Sequence, residues 1–248
     1  MSDLSEALLA EVSEREGIPP IRYVAETGST NADVATLAAE GAPHGTALVA
    51  DAQTAGRGRL GRTWISPPGS NLYLSMLLRP NLPLADVPWL TLAAAVAGAE
   101  TLGPIRIKWP NDLLADDGRK VAGILAEAEI SGGKVAHVVV GIGVNVRSAP
   151  PFAASLAELG APLLDRSELA VRWVRRMLYW SSVLHCGTPA VGLRWRELSC
   201  TLGARVRLGE VEGVATDLDT NGALRVRRDD GSEQSILAGE VEMVKGVY

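Results

Sequence analysis

Between residues 56 and 62 three arginines are threaded through three glycines, Gly56-Arg57-Gly58-Arg59-Leu60-Gly61-Arg62. Glycine lets a backbone approach a ligand closely, and a guanidinium grips an oxyanion through two parallel N–H donors, so this segment reads as a mobile loop for a phosphate-bearing substrate. By letter it also matches G-x-G-x-x-G, but that dinucleotide fingerprint needs a helix to begin inside it. Here Thr63-Trp64-Ile65-Ser66-Pro67-Pro68-Gly69 follows, which cannot supply the first turns of a long helix. A solvated basic loop without function is the plainer alternative. A second cluster runs Lys108-Trp109-Pro110-Asn111-Asp112, with Lys120 eight residues beyond Asp112 at the mouth of an apolar strand. A lysine so placed is held near a pocket with its amine aimed at an anion. Asp112 either orients that lysine, serves as an outer partner for Mg²⁺, or simply forms a turn with Asn111. In Gly141-Ile142-Gly143-Val144-Asn145 two glycines fall within a strand, the mark of close backbone approach or a bulge, and Asn145 adds one amide. Trp64 offers a flat surface for adenine or a cover over the ligand, with core packing as the alternative; Trp109 lies inside the second motif.

The elements that must position these residues follow from pattern. Helices are expected over Leu4–Glu14, from Thr30 to Glu40, over Asp86–Leu102 and from Arg166 to His185, where Leu169, Trp173, Met177, Trp180 and Leu184 recur at helical spacing. Thr30 with Asp33 has the form of a capping box for the second of these. Strands are expected at 21–25, 46–50, 71–78, 105–109, 113–115, 121–130 and 135–146, joined by turns at Pro110-Asn111, Asp117-Gly118 and Gly132-Gly133. Strand following strand without a repeated βαβ period gives an α+β class with a mixed or antiparallel sheet. After Cys200 the texture changes to short alternating segments around Asn221-Gly222 and Asp230-Gly231, the signals of hairpins in a small β-barrel. The boundary falls near Ser199, dividing the chain into residues 1–199 and 200–248.

Composition narrows the function. The chain has 248 residues, 24 basic against 29 acidic, for a net charge of -5. Such a balance gives no general attraction to DNA, and no apolar run reaches the ~20 residues that span a bilayer. Two cysteines and three scattered histidines give no disulfide framework and no zinc spacing. Only 11 aromatics are present, so each tryptophan is informative.

Taken together, Glu26-Thr27-Gly28-Ser29-Thr30-Asn31, the Gly56–Arg62 loop followed by Trp64, the Lys108–Asp112 segment, Arg119-Lys120-Val121-Ala122-Gly123-Ile124-Leu125 and the Gly141–Asn145 segment resemble the bacterial biotin protein ligases. The resemblance spans roughly residues 20–147 with five segments in order. It implies a catalytic domain like that of the class II aminoacyl-tRNA synthetases with a C-terminal SH3-like barrel, and a two-step reaction. Biotin and ATP give biotinyl-5′-AMP and pyrophosphate, and a lysine of the biotin carboxyl carrier protein of acetyl-CoA carboxylase then takes the biotin. By the same resemblance Lys120 and Arg57 are catalytic, and Ser29, Thr30, Asn31, Gln53, Arg57, Gly58, Arg59 and Lys120 hold biotin. Arg57, Arg59, Trp64, Asn111 and Asn145 face the nucleotide, and Mg²⁺ rides on the phosphates with Asp112 as its one protein partner. A bound adenylate needs no protein nucleophile, which accounts for the lack of any Ser-His-Asp or Cys-His arrangement. The chain starts only about 20 residues before its first motif, which leaves no room for the winged-helix repressor domain of some relatives, so a monofunctional, cytoplasmic ligase without DNA binding is expected. The alternative is a lipoate or octanoate ligase or transferase of similar fold.

Three glycines make the 56–62 loop entropically costly to order. Limited trypsinolysis should therefore cut at its arginines in the empty protein and spare them when biotin and ATP are present; equal cleavage in both states is the contrary result.

Overall fold

A computed structural model of the chain describes residues 3–160 and 165–244. Seven strands, β1 (Arg22–Thr27), β2 (Ala47–Gln53), β3 (Leu72–Leu78), β4 (Arg106–Lys108), β5 (Asp112–Leu114), β6 (Lys120–Ser131) and β7 (Lys134–Val144), form one sheet in the order β1-β2-β3-β7-β6-β5-β4. Only β1 and β2 are parallel; every other neighbour pair is antiparallel, so the sheet is mixed.

The two faces of this sheet are covered unequally. Residues 72, 74, 76 and 78 of β3 and 138, 140, 142 and 144 of β7 alternate toward a large apolar core. Helices α1 (Glu6–Glu16), α3 (Pro88–Leu102), α4 (Arg166–Leu184) and α5 (Pro189–Leu198) contribute to that core. Helix α3 is alanine-rich and buried nearly all round, as a helix enclosed by a sheet and by α4 and α5 must be. Among the described residues the opposite face carries only the helix α2 (Thr30–Ala39), whose Val34 and Ala38 pack on Leu48, Leu77 and Val139. Ten residues of helix cannot cover seven strands, and the centre of that face stays open.

Two local expectations change. Helix α2 is not started by a capping box: Ser29 is the N-cap, no side chain caps the helix, and the Thr30 hydroxyl turns to Gln53 and Ser75 instead. Helix α5 was not foreseen, because Pro189 and the glycines nearby mask its apolar positions Val191 and Trp195.

Strands β8 (Arg205–Leu208), β9 (Val211–Leu218), β10 (Leu224–Arg227), β11 (Glu233–Ile236) and β12 (Glu242–Met243) form a five-stranded antiparallel sheet in the order β11-β10-β9-β8-β12. Among the described residues β11 and β12 are its end strands, and this antiparallel unit stands where a small β-barrel was expected. Its inward residues Val206, Leu224 and Val226 join the same continuous core as α3. Trp89 donates its indole N–H to the Thr220 carbonyl at 2.9 Å and Trp109 to that of Gly222 at 3.2 Å, both on the β9–β10 turn. Trp109 is therefore a junction residue, 1% exposed, and not part of a ligand site; the motif around it reaches the pocket through Asn111 alone. Trp109→Phe should lower stability by about 1 kcal/mol through the lost hydrogen bond, and Trp109→Ala by ~3–5 kcal/mol through the cavity. Denaturant unfolding followed at both substitutions checks this, and equal small losses would exclude the junction role.

Candidate active site

Register fixes the floor of the site. On the open face Tyr73, Gly143 and Gly123 lie side by side across β3, β7 and β6, and Ser75, Gly141 and Leu125 form the next row. Three of these six positions have no side chain, and the space is filled by groups from elsewhere. A Cβ on Gly143 would run into the Trp64 indole, and one on Gly141 into Asn31 Oδ1, each nearer than real Cβ contacts allow. The glycines thus let one aromatic ring and one amide lie directly on the sheet.

One end of the pocket is polar and carries no net charge. It is built by the first turn of α2, where the N-cap Ser29 and residues Thr30 and Asn31 are all buried. The Thr30 N–H donates to Gln53 Oε1 at 2.9 Å, and Gln53 Nε2 donates to Ser66 Oγ at 2.9 Å. The Ser75 hydroxyl donates to Asn31 Oδ1 at 2.6 Å and lies 2.7 Å from the Thr30 hydroxyl, while Asn31 Nδ2 donates to Glu127 Oε2 at 2.7 Å.

The other end is cationic. Lys120 Nζ sits 2.5 Å from Asp112 Oδ1 and 5.3 Å from the centre of the Trp64 ring, and Lys108 lies 3.7 Å from the other Asp112 oxygen. Asn145 donates from Nδ2 to the carbonyls of Lys120 and Ala154, pinning the lysine's backbone from behind. Arg59 donates to Asn111 Oδ1 at 3.0 Å and to the Gly239 carbonyl at 3.3 Å, and Asn111 donates to the Ile124 carbonyl at 2.8 Å. Burial holds the Arg59 pKa below the usual guanidinium value, against the pull of Asp112 and Glu240. A half-buried guanidinium whose direct partners are neutral oxygens is a ready receptor for an anion.

The glycine-arginine loop closes over this floor as a small hairpin. Arg57 pairs with Thr63 as an isolated bridge, Gly58 N–H donates to the Arg62 carbonyl at 2.7 Å, and Leu60 takes a left-handed φ of 57° at the tip. Arg57 reaches Glu127 at 3.0 Å, and Arg62 is paired bidentately with Glu240 on the β11–β12 connection.

Of the residues singled out from sequence, Ser29, Thr30, Asn31, Gln53, Arg57, Gly58, Arg59, Trp64, Asn111 and Lys120 line one pocket. Asn145 and Asp112 do not line it; the first stands behind Lys120 and the second is its counter-ion. Arg57 faces Glu127, toward the polar end, whereas Arg59 feels the charge of Asp112. Sequence reasoning passed over Tyr73, Ser75 and Glu127. The alternation within 71–78 puts Tyr73 and Ser75 on the face that the paired glycines share, but says nothing of what Ser75 or Glu127 touches.

With this geometry in view, comparison with known proteins is direct. Residues 25–145 match the Biotin/lipoate A/B protein ligase family and residues 201–244 the Biotin protein ligase C terminal domain. A biotin--[acetyl-CoA-carboxylase] ligase of Mycobacterium tuberculosis is 39% identical over 224 residues, 81% of this chain and 80% of that one. The chain belongs to the biotin protein ligase family. The bifunctional ligase/repressor BirA of Bacillus subtilis is 35% identical over 87% of this chain and 71% of its own length. The biotin protein ligase from Aquifex aeolicus, solved in complex with biotin and ATP, superposes with a TM-score of 0.76 at 30% identity over 91% of this chain and 99% of that one.

Because the floor works by lacking side chains, Gly143→Ala should leave the fold intact but displace Trp64 and weaken biotin binding at least ~10-fold, about 1.4 kcal/mol. Calorimetric titration reads the change, and an unaltered Kd would remove the floor from the site.

Proposed function

We propose that this enzyme activates biotin with ATP to biotinyl-5′-AMP and pyrophosphate, and then transfers the biotin to a lysine of the biotin carboxyl carrier protein of acetyl-CoA carboxylase, in the cytoplasm. The observation that carries this reading is the polarity of one pocket. Neutral hydrogen-bonding groups at the first turn of α2 suit a cyclic urea, the bare floor under Trp64 suits an aliphatic chain, and Lys120 with Arg59 suits the place where two anions meet.

That meeting is the chemical problem. A carboxylate oxygen of biotin must attack the α-phosphorus of ATP, forming a P–O bond as the bond to pyrophosphate breaks, and both partners are negative. Lys120 and Arg59 offset the repulsion and hold the reacting atoms in line, so catalysis is positioning and charge stabilisation. In the second step the amine of the carrier lysine attacks the acyl carbon of the mixed anhydride and AMP leaves with the bonding electrons. Asp112, 2.5 Å from Lys120, fixes where the ammonium lies.

The donor set does not fit a Mg²⁺ ion held by the protein. Asp112 already serves two lysines, and the described residues contain no group of three or more His, Cys, Asp or Glu that could hold a metal. Mg²⁺ enters this reading only as a counter-ion carried by ATP. Among the described residues no helix is long and apolar enough to cross a membrane.

Incubation with biotin, ATP, Mg²⁺ and a carrier domain should add one biotin mass to one carrier lysine, with octanoate and lipoate giving none; labelling by those acids instead would move the enzyme to the lipoate branch. Lys120→Ala should cut pyrophosphate release by ~10²–10³-fold in a folded protein, and near-normal release would take Lys120 out of the reaction.

A further inference from the structure

Glu127 stands outside the pocket lining yet ends the chain of polar groups that builds the pocket's polar end. It occupies the third row of the open face, beside Val139 and Leu77, just beyond Leu125. A carboxylate without a proton can only accept. Its Oε2 takes Asn31 Nδ2 at 2.7 Å and Arg57 at 3.0 Å, and the Leu125 carbonyl takes Asn31 Nδ2 at 3.3 Å. The Asn31 amide is therefore locked one way round, since turned over it would set its oxygen against two acceptors.

The consequence propagates. With Oδ1 facing Ser75, the single Ser75 proton is committed to it at 2.6 Å. The 2.7 Å approach of the Ser75 and Thr30 hydroxyls then requires the Thr30 proton, because two oxygens so close need one proton between them. Gln53 does not reverse this order: its oxygen, which takes the Thr30 N–H and lies 3.2 Å from the Thr30 hydroxyl, can only accept, and its nitrogen donates to Ser66. Thr30, a pocket-lining residue, is left presenting lone pairs to the ligand.

We propose that Glu127 is a positioning residue that sets the hydrogen-bond direction of this end of the pocket and so selects ligands that present N–H donors there. The inference rests on the biotin reading above, because it is the cyclic urea that supplies those donors. Arg57 supplies the countercharge that lets a carboxylate stand at this point without a cation from the substrate.

Glu127→Gln tests this with little change of shape, since an amide both donates and accepts and no longer dictates the Asn31 orientation. Measured by pyrophosphate release, the KM for biotin should rise ~10-fold while kcat and the KM for ATP stay within about twofold. In an Asn31→Ala background the same substitution should shift the biotin KM by less than about twofold. An unchanged biotin KM, parallel losses in kcat and ATP KM, or persistence after Asn31→Ala would each overturn the proposal. If the wild-type chain is active and only these results fail, the biotin reading survives; a wild-type chain that turns over no biotin with ATP overturns both.

Discussion

The pairing of Gly123 with Gly143 across β6 and β7, with Gly141 two residues along, is the constraint on which the rest depends. Strands are ordinarily weakened by interior glycines, which give up packing and cost backbone entropy. Here the sheet tolerates them because its opposite face is packed by four helices, so the strands are held in register from behind by Val138, Val140, Ile142 and Val144. The bare patch is the only way that Trp64 and Asn31 can both lie on the sheet, and through them the loop and the first turn of α2 are brought to one cleft. A site could therefore be built without bending any strand.

Charge is distributed along that cleft in a fixed order. Glu127 and Arg57 neutralise one another at the neutral end, Lys108, Lys120 and Asp112 form a mixed cluster at the other, and Arg59 lies half-buried against carbonyl oxygens. No member of the set is a nucleophile. The arrangement suits a reaction whose intermediate stays noncovalent, in which the protein's task is to let two anions approach and then to keep water from the product. The loop carries the arginines of this charge, and its contacts reach both parts of the chain: Arg57 answers to β6, while Arg59 and Arg62 answer to Gly239 and Glu240 between β11 and β12.

The sequence was most legible where residue type alone carries the chemistry. Arginines alternating with glycines, a lysine opening an apolar strand and two glycines inside another strand mark most of the lining. Supporting groups were far less legible, and for a physical reason. Ser75 and Glu127 act through side chains 44 and 96 residues away from them in sequence, so nothing local marks them. Nothing local shows what Trp109 does inside its polar motif, because its indole N–H finds a carbonyl 113 residues later. Thr30 misled, since a threonine next to a helix start suggests a cap and here its hydroxyl serves the pocket. The class of the fold was readable from period and turns; which face would stay uncovered was not, because that depends on where five helices dock.

The junction made by Trp89 and Trp109 has a consequence for how the chain must be handled as a polymer. Its two sheets share one unbroken apolar core, in which Val206, Leu224 and Val226 pack as part of the same cluster as α3 and α4. Two units joined in that way do not melt separately: exposing the junction costs each of them buried area, so cooperativity extends across both. The C-terminal sheet is accordingly no detachable appendage, and cutting it away would remove one wall of the larger fold's own interior.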